Sequence, residues 1–260
     1  MQSEGSIKKW IKNNYHSKNL ITRYMIRGLY FIKKFTYKTR RFCTDKEFRA
    51  VVYMSIFKAS KVHQTTPLTF MDRYPVIFSA CRDYFKDKNN IKILSYGCST
   101  GEEVITLRNY FNDANIIGAE INKNSLEICR KRVVDDKINF INSTHNEIKR
   151  SGKYDLIFCM AVLQRTPDTI TKQGVNSLKK IYPFEKFEKQ VIELDSYLKK
   201  GGLLVIHFSQ YSFADTSISA KYKALGNYNQ DDYNSAVFDR NSNLINELTS
   251  RNSIFIKLKD

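Results

Sequence analysis

Two glycines, a pair of adjacent carboxylates and one more distant glutamate form the first chemically suggestive pattern in this chain. In residues 91–103, IKILSYGCSTGEE, a short apolar run reaches Gly97-Cys98-Ser99-Thr100-Gly101, and Val104, Leu107 and Phe111 then recur at helical spacing. That order reads as strand, tight turn, helix. Gly97 and Gly101 let the backbone approach a ligand where a side chain would clash, at the carboxyl end of a central parallel strand. A turn built for a dinucleotide would carry glycines at 97, 99 and 102, but Ser99 and Glu102 stand at the last two, followed by Glu103. Carboxylates suit the positive end of a helix dipole, yet they repel a pyrophosphate placed there. A phosphate-free nucleoside bearing a positive charge fits better, and S-adenosylmethionine, with its sulfonium, is such a molecule. Glu120 closes a second apolar run, Ile116-Ile117-Gly118-Ala119, nineteen residues after Gly101. An acid about 20 residues beyond the turn reaches ribose hydroxyls in folds of this kind. The turn alone leaves another reading open, an ordinary strand-turn-helix with Glu120 as a surface acid.

Displacement of a methyl group from a cationic sulfur is mostly a matter of alignment, and a base is needed only when the acceptor must lose a proton. Candidate catalytic residues lie where strands four and five end: His207, Gln164 and, nearby, Tyr211. A histidine inside an apolar strand also reads as a packed core residue. His63 and His145 are weaker candidates. YDLIFCMA, at 154–161, lacks the Asn/Asp-Pro-Pro-aromatic motif that grips a base amino group, which argues against nucleic-acid amino methylation. No metal-ligand cluster is visible.

The elements that must hold these residues follow from periodicity. After Glu120, Leu126, Cys129 and Val133 predict a helix, Ile138 to Ile141 a third strand ending at Asn142-Ser143-Thr144, and Tyr154 to Cys159 a strand buried on both faces. Phe184, Phe187, Val191, Leu194 and Leu198 predict a helix stopped by Gly201-Gly202, and residues 203–208 a fifth strand. Strands alternating with helices imply a doubly wound parallel sheet. The loops 164–183 and 211–234 are where acceptor specificity is expected. Residues 236–238 and 253–258 are expected to close the sheet with an antiparallel edge. Ahead of the first strand, Thr44 and Glu47 have capping-box spacing for a helix with Phe48, Val52, Ile56 and Ala59 inward, and Pro75 begins another.

The net charge of +17 is unevenly spread, since residues 1–62 hold fifteen Lys or Arg against three acids. Trp10, Ile11, Leu20, Ile21, Tyr24, Met25, Leu29 and Ile32 alternate with this charge, so one or two basic amphipathic helices are predicted there. Three roles stay open for residues 1–42: a cap packed on the rest of the chain, a helix on an anionic membrane surface, or a nucleic-acid contact. No apolar run reaches the ~18 residues of a spanning helix, and no signal peptide is expected. Five cysteines without a CxxC pair point to reduced thiols and a cytoplasmic location, whether or not the chain also lies against the inner membrane surface. Cys98 reads as a space-filler rather than a nucleophile.

With those residues placed, the chain resembles the class I S-adenosylmethionine-dependent methyltransferases, and its motifs are most similar to the catalytic domain of the CheR family of chemoreceptor methyltransferases. The matching segments are CSTGEE at 98–103, DLIFC-x-x-VL at 155–163, LKKGGLLVIHFSQ at 198–210 and TTPLTFMDRYPVIF at 65–78. The resemblance implies a Rossmann-like, doubly wound, seven-stranded α/β sheet with an N-terminal helical cap: a basic helical segment at 1–62 and a methyltransferase domain at 63–260. It also implies S-adenosylmethionine as cofactor. Gly97, Cys98, Ser99 and Gly101 would contact its methionine part, Glu120 its ribose, and Asn142, Ser143 and Thr144 its adenine, with Ile121 also among the cofactor-binding residues. Met160 and Ala161 would border the methyl group, and Thr69 and Arg73 would cover the cofactor, Arg73 pairing with its carboxylate. Two departures stand out. The family's Arg-Asn pair is replaced by Met160-Ala161, and only about ten residues separate strands three and four, too few for the receptor-docking β-subdomain. Chemoreceptor methylation is therefore not expected. The implied activity is methyl transfer to an oxygen or nitrogen of a small-molecule or glycan-type acceptor. A methyltransferase docking RNA or protein through the basic helices, and a non-catalytic module keeping the cofactor fold, are the other readings.

Overall fold

The computed structural model describes residues 10, 13, 14, 16–245 and 251–260; Ile11 of the amphipathic stretch lies outside the described residues. The chain divides into two compact units, Met1–Val52 and Tyr53–Asp260, so residues 53–62 fall in the second.

The first unit is dominated by one long helix, α1 (Leu20–Thr44), started by Asn19, whose side chain accepts the backbone N–H groups of Ile21 and Thr22. Helix α2 (Lys46–Phe57) follows. The expected capping box is not what starts it. Thr44 is still helical and donates to the Arg40 carbonyl, and Asp45 accepts the Phe48 N–H at 2.9 Å. Asp45 also pairs with Arg41 one turn back, at 2.6 Å, so a single aspartate ends one helix and begins the next.

The second unit is built on alternating strands and helices. In order they are α3 (Pro75–Tyr84), β1 (Lys92–Tyr96), α4 (Glu102–Tyr110), β2 (Asn115–Glu120), α5 (Lys123–Arg130), β3 (Ile138–Asn142), α6 (His145–Arg150), β4 (Tyr154–Met160), α7 (Pro167–Lys172), α8 (Phe184–Tyr197), β5 (Leu198–His207), β6 (Tyr222–Ala224), β7 (Val237–Phe238), β8 (Leu244–Ile245) and β9 (Ile254–Lys257). The main sheet has seven strands in the order β3-β2-β1-β4-β5-β9-β6. Its first five strands are parallel, and β9 runs antiparallel between β5 and β6. This is the expected Rossmann-like doubly wound sheet with an antiparallel strand near one edge.

Two details differ from the sequence reading. Residues 253–258 do supply the antiparallel strand, but 237–238 pair with 244–245 in a separate hairpin, and the far edge comes instead from 222–224, inside a stretch read as loop. Helix α8 ends at Tyr197 because Leu198 is already extended and paired with Tyr154, so Gly201 and Gly202 lie within β5 rather than at the helix terminus.

Both faces of the sheet are buried, which is why its strands read as continuous apolar runs. Leu94, Ile117, Ile157 and Leu204 face a core shared with α8, and Ile93, Ile116, Leu156 and Val205 face a second core shared with α3 and α4. Each such side chain contributes about 1.5–3 kcal/mol on burial. Asp155, the one acid in β4, accepts the Lys92 backbone N–H at 2.9 Å and binds the Lys88 and Lys199 ammonium groups at 2.6 and 2.9 Å. The strand order reverses beside β1, where β2 departs to one side and β4 to the other, and a crevice at the carboxyl ends of those strands is the expected ligand site.

Candidate functional site

The three central strands leave the sheet in the same unusual way. Ser99 after β1, Ala161 after β4 and Phe208 after β5 all have left-handed backbone, with φ of 51°, 55° and 58°. Each costs of order 1–3 kcal/mol, and such strain concentrates at functional sites. Gly97, at φ 76°, begins the β1 turn, where an added Cβ would stand 2.5 Å from Val162 Cγ2. Glycine is thus required there by backbone and by packing together.

Glu120 closes this turn. One of its carboxylate oxygens accepts the Ser99 N–H at 2.8 Å and the other the Asn122 N–H at 2.7 Å, so the acid at the end of β2 is oriented by the two loops it lies between. Register puts Glu120 beside Asn142 and, across the sheet, Met160 beside His207.

Two adjoining crevices open over these strand ends. The first is lined by Tyr96, Gly97, Ser99, Glu120, Ile121, Asn122, Ser125 and Ser143 below and by residues 63–67 above. The second is lined by Gly97, Cys98, Ser99, Glu103, Met160 and Ala161, under Thr69, Phe70, Arg73 and Tyr74. Between them the 64–67 strap crosses the opening: the Gln64 amide donates to the Ala161 carbonyl, and Ser99 Oγ donates to the Pro67 carbonyl at 3.2 Å. The crevices enclose about 70 and 50 Å³. Ligand pockets usually exceed ~300 Å³, so each crevice by itself is smaller than a typical one, and the strap forms the partition between the two.

The second crevice sets a carboxyl group, Glu103, and a guanidinium, Arg73, on the same small space. Glu103, on the first turn of α4, receives Ser95 Oγ–H at 2.7 Å, and burial pushes its carboxyl up to about 7 although Ser95 and Arg73 pull the other way. Arg73 is held by the Leu68 carbonyl at 2.9 Å and lies over the Phe70 and Tyr74 rings. A carboxylate and a guanidinium facing one small space match the ammonium and carboxylate of a methionine moiety. Cys98 is buried, and its hydrogen bond with Cys129, reinforced by burial, pushes the thiol up, so it is a neutral filler.

A third cavity, about 300 Å³, shares Arg73 and Tyr74 with the second and adds Val76, His207, Tyr228, Asn229 and Asp232. Burial, with Arg73 and Arg251 nearby, pushes His207 down to about 4, and its Nδ1 lies 2.8 Å from Ser253 Oγ. The Tyr74 hydroxyl is buried without a protein partner among the described residues, and its ring meets His207 edge-on at 5.0 Å.

The structure therefore gathers Thr69, Arg73, Gly97, Cys98, Ser99, Glu120, Ile121, Ser143, Met160, Ala161 and His207 around adjoining cavities. Five expected residues line none of the three. Gly101 has φ 95° and directs its missing Cβ toward Arg132 and Cys129, so it shapes the turn. Asn142 donates its N–H to Glu147, and Thr144 caps α6. Gln164 is buried between the Ala161 carbonyl and the Tyr233 hydroxyl. Tyr211 is in the core, donating to the Tyr182 carbonyl at 2.6 Å. Sequence reasoning did not single out Gln64, Tyr74 or Asn122 as site residues. Gln64 and Tyr74 lie in or beside a segment with no helical or strand period, and only the family-like TTPLTFMDRYP stretch pointed near them.

A model of the methyltransferase domain matches residues 87–249. The chain belongs to this methyltransferase-domain family. Its domain is of the S-adenosylmethionine-dependent class I fold, and S-adenosylmethionine is the cofactor that goes with that fold. Among curated relatives, the ubiquinone biosynthesis O-methyltransferase of Rickettsia bellii is 20% identical over 124 residues, 47% of this chain and 49% of the relative. The chain thus spans about half the length of the curated relatives it matches. Similar solved structures include the plantazolicin methyltransferase BpumL with SAH, 16% identical over 67% of this chain and 59% of that one at a TM-score of 0.37. CalS10, an amino pentose methyltransferase from Micromonospora echinaspora, is 16% identical over 59% and 54% at a TM-score of 0.37.

Proposed function

We propose that the protein is an S-adenosylmethionine-dependent methyltransferase that methylates an oxygen or nitrogen of a small-molecule or glycan-type acceptor, and that residues 63–260 form the catalytic part. The observation that carries the reading is the shared wall of Arg73 and Tyr74, which separates a crevice holding Glu103, Met160 and Ala161 from a roomier cavity lined by His207, Tyr228 and Asp232. The relative that acts in ubiquinone biosynthesis supports a small acceptor.

The donor set suits the cofactor. Glu120 presents a carboxylate to a diol, Ser143 and Asn122 offer hydrogen-bonding groups beside it, and Glu103 with Arg73 faces the amino-acid end. When bound, S-adenosylmethionine supplies an electrophilic methyl group on a positive sulfur. The chain's own residues orient and shield. Met160 and Ala161 form an apolar floor, and the 64–67 strap excludes water. Burial pushes the Tyr74 phenol up, so it remains a hydrogen-bond donor that positions the acceptor atom. His207 stays neutral above about pH 4 and can accept a proton from an acceptor hydroxyl only weakly, which suits a step dominated by alignment. The CheR-like segments 98–103 and 155–163 both border the crevice and support the cofactor half of the reading, whereas the acceptor half is this chain's own.

Calorimetric titration with S-adenosylhomocysteine tests the assignment. We expect saturable binding and, for Glu120→Ala, a loss of about 10–100-fold, the scale of a hydrogen bond to a charged group. Absence of binding by the full chain overturns the function. Unchanged affinity in the variant overturns the placement of the ribose.

A further inference from the structure

Helix α1 (Leu20–Thr44) carries seven Lys or Arg and no acid in its 25 residues. At 3.6 residues per turn, Ile21, Tyr24, Met25, Phe31, Ile32 and Phe35 fall on one arc of about 120°, and every basic residue falls outside it. These six side chains are 58–72% exposed, which is too much large apolar surface on one helix face to leave in water without a purpose. Gly28 sits in the middle of the arc, and a Cβ added there meets nothing within 4 Å. Arg27 and Lys38 border the arc on one side and Lys33 and Arg40 on the other, where long side chains carry their charge away from the apolar strip.

Among the described residues no helix is long and apolar enough to cross a membrane. An in-plane position is what such a helix can take: apolar strip down, cations level with the headgroups. The charge selects among occupants. A second copy packed on this face would set seven more positive charges alongside these seven, with no acid on either helix to pair with them. A nucleic acid would satisfy the cations and leave the six apolar side chains in water. An anionic lipid surface satisfies both.

We propose that helix α1 is an interfacial anchor that lies in the plane of an anionic membrane, burying Ile21, Met25, Phe31 and Phe35 among the acyl chains. This rests on the helix alone and is independent of the methyl-transfer reading.

The test uses the full chain in co-sedimentation with vesicles of phosphatidylcholine, with and without phosphatidylglycerol. The expected result is at least ~10-fold tighter binding to the anionic vesicles. Phe31→Glu with Phe35→Glu should abolish binding, and Lys33→Gln with Lys38→Gln should weaken it and flatten its salt dependence. Far-UV circular dichroism and a thermal melt serve as the folding control, which keeps the test separate from cofactor binding. Equal binding to both vesicle types overturns the proposal. So does vesicle binding that salt removes but the phenylalanine variant retains, which marks simple electrostatic adsorption. Concentration-dependent dimerisation without vesicle binding, or RNA binding without vesicle binding, equally overturns it.

Discussion

Glu103 is a carboxyl group placed where its ionisation depends on what lies opposite. Burial holds it near 7, far above its usual value, and Arg73 offsets only part of that cost. A cofactor ammonium set against it would favour the ionised form, so binding below pH 7 must expel a proton from Glu103, and above pH 7 none. Affinity for S-adenosylhomocysteine is therefore expected to rise with pH, by up to about tenfold per unit below 7, and then level off. Glu103→Gln should bind more weakly and lose most of that slope. A slope unchanged by the substitution would place the titrating group elsewhere. The sequence displayed Glu103 as a helix-terminal acid but hid its environment, because the residues that desolvate it arrive from 69–74, a segment about 30 positions away with no period to read. Glu120 was legible because it closes an apolar run at a fixed spacing from the turn, and that spacing is what brings it against Ser99. Tyr211 and Gln164 show the reverse: they follow strands that end at the site, yet their side chains turn into the protein and satisfy carbonyls there.

At the scale of elements, the β1–α4 turn is the part with least freedom. Gly97 carries a positive φ of 76° and a methyl contact with Val162 that leaves no room for a side chain. Gly97→Ala should lower stability by about 1–3 kcal/mol, from left-handed strain and overpacking together. Denaturant unfolding measures it. Adding Val162→Ala should recover the packing part alone, so the double variant should fall between wild type and Gly97→Ala. If the single variant matches wild type, the turn is more yielding than its geometry implies. This turn and the central parallel sheet could be read from apolar runs and glycines, because strands buried on both faces leave a strong pattern. The short outer pieces could not. Strand β6 has three residues and β7 two, and pairing, with the distant β9 for β6 and with β8 in a hairpin for β7, decides whether such short segments are strands at all. The boundary between α1 and α2 misled for a similar reason: Asp45 and Thr44 are both good caps, and the Arg41 ion pair favours the aspartate.

Across the whole molecule, the buried histidines and Glu103 act on stability in opposite directions as pH falls. His63 is enclosed by the Tyr182 hydroxyl at 2.7 Å and by Gln190, and burial, with Lys186 adding to it, holds it down to about 3. His207 is held to about 4. In the unfolded chain both take up protons near pH 6.5. Below that pH the unfolded state gains two protons that the folded state refuses, so stability present above 6.5 is lost on acidification toward 4. Glu103 has the opposite sign: its folded value is raised, so its contribution is complete below about 4.5 and fades as pH rises through 7. Between pH 5 and 6 the two histidines outweigh the single glutamate, so the free energy of unfolding should fall on acidification by about 1.4 kcal/mol per pH unit or less, and the melting temperature should drop with it. His63→Gln should flatten this slope, because glutamine has no proton to gain. Glu103→Gln should steepen it, because the opposing contribution disappears. Thermal melts of the three proteins across pH 5–8 read all of this at once. Parallel curves would mean that the acid sensitivity comes from the paired carboxylates, such as Asp155, which the Lys88, Lys92 and Lys199 contacts hold below its usual value despite burial and whose contribution is lost only at lower pH.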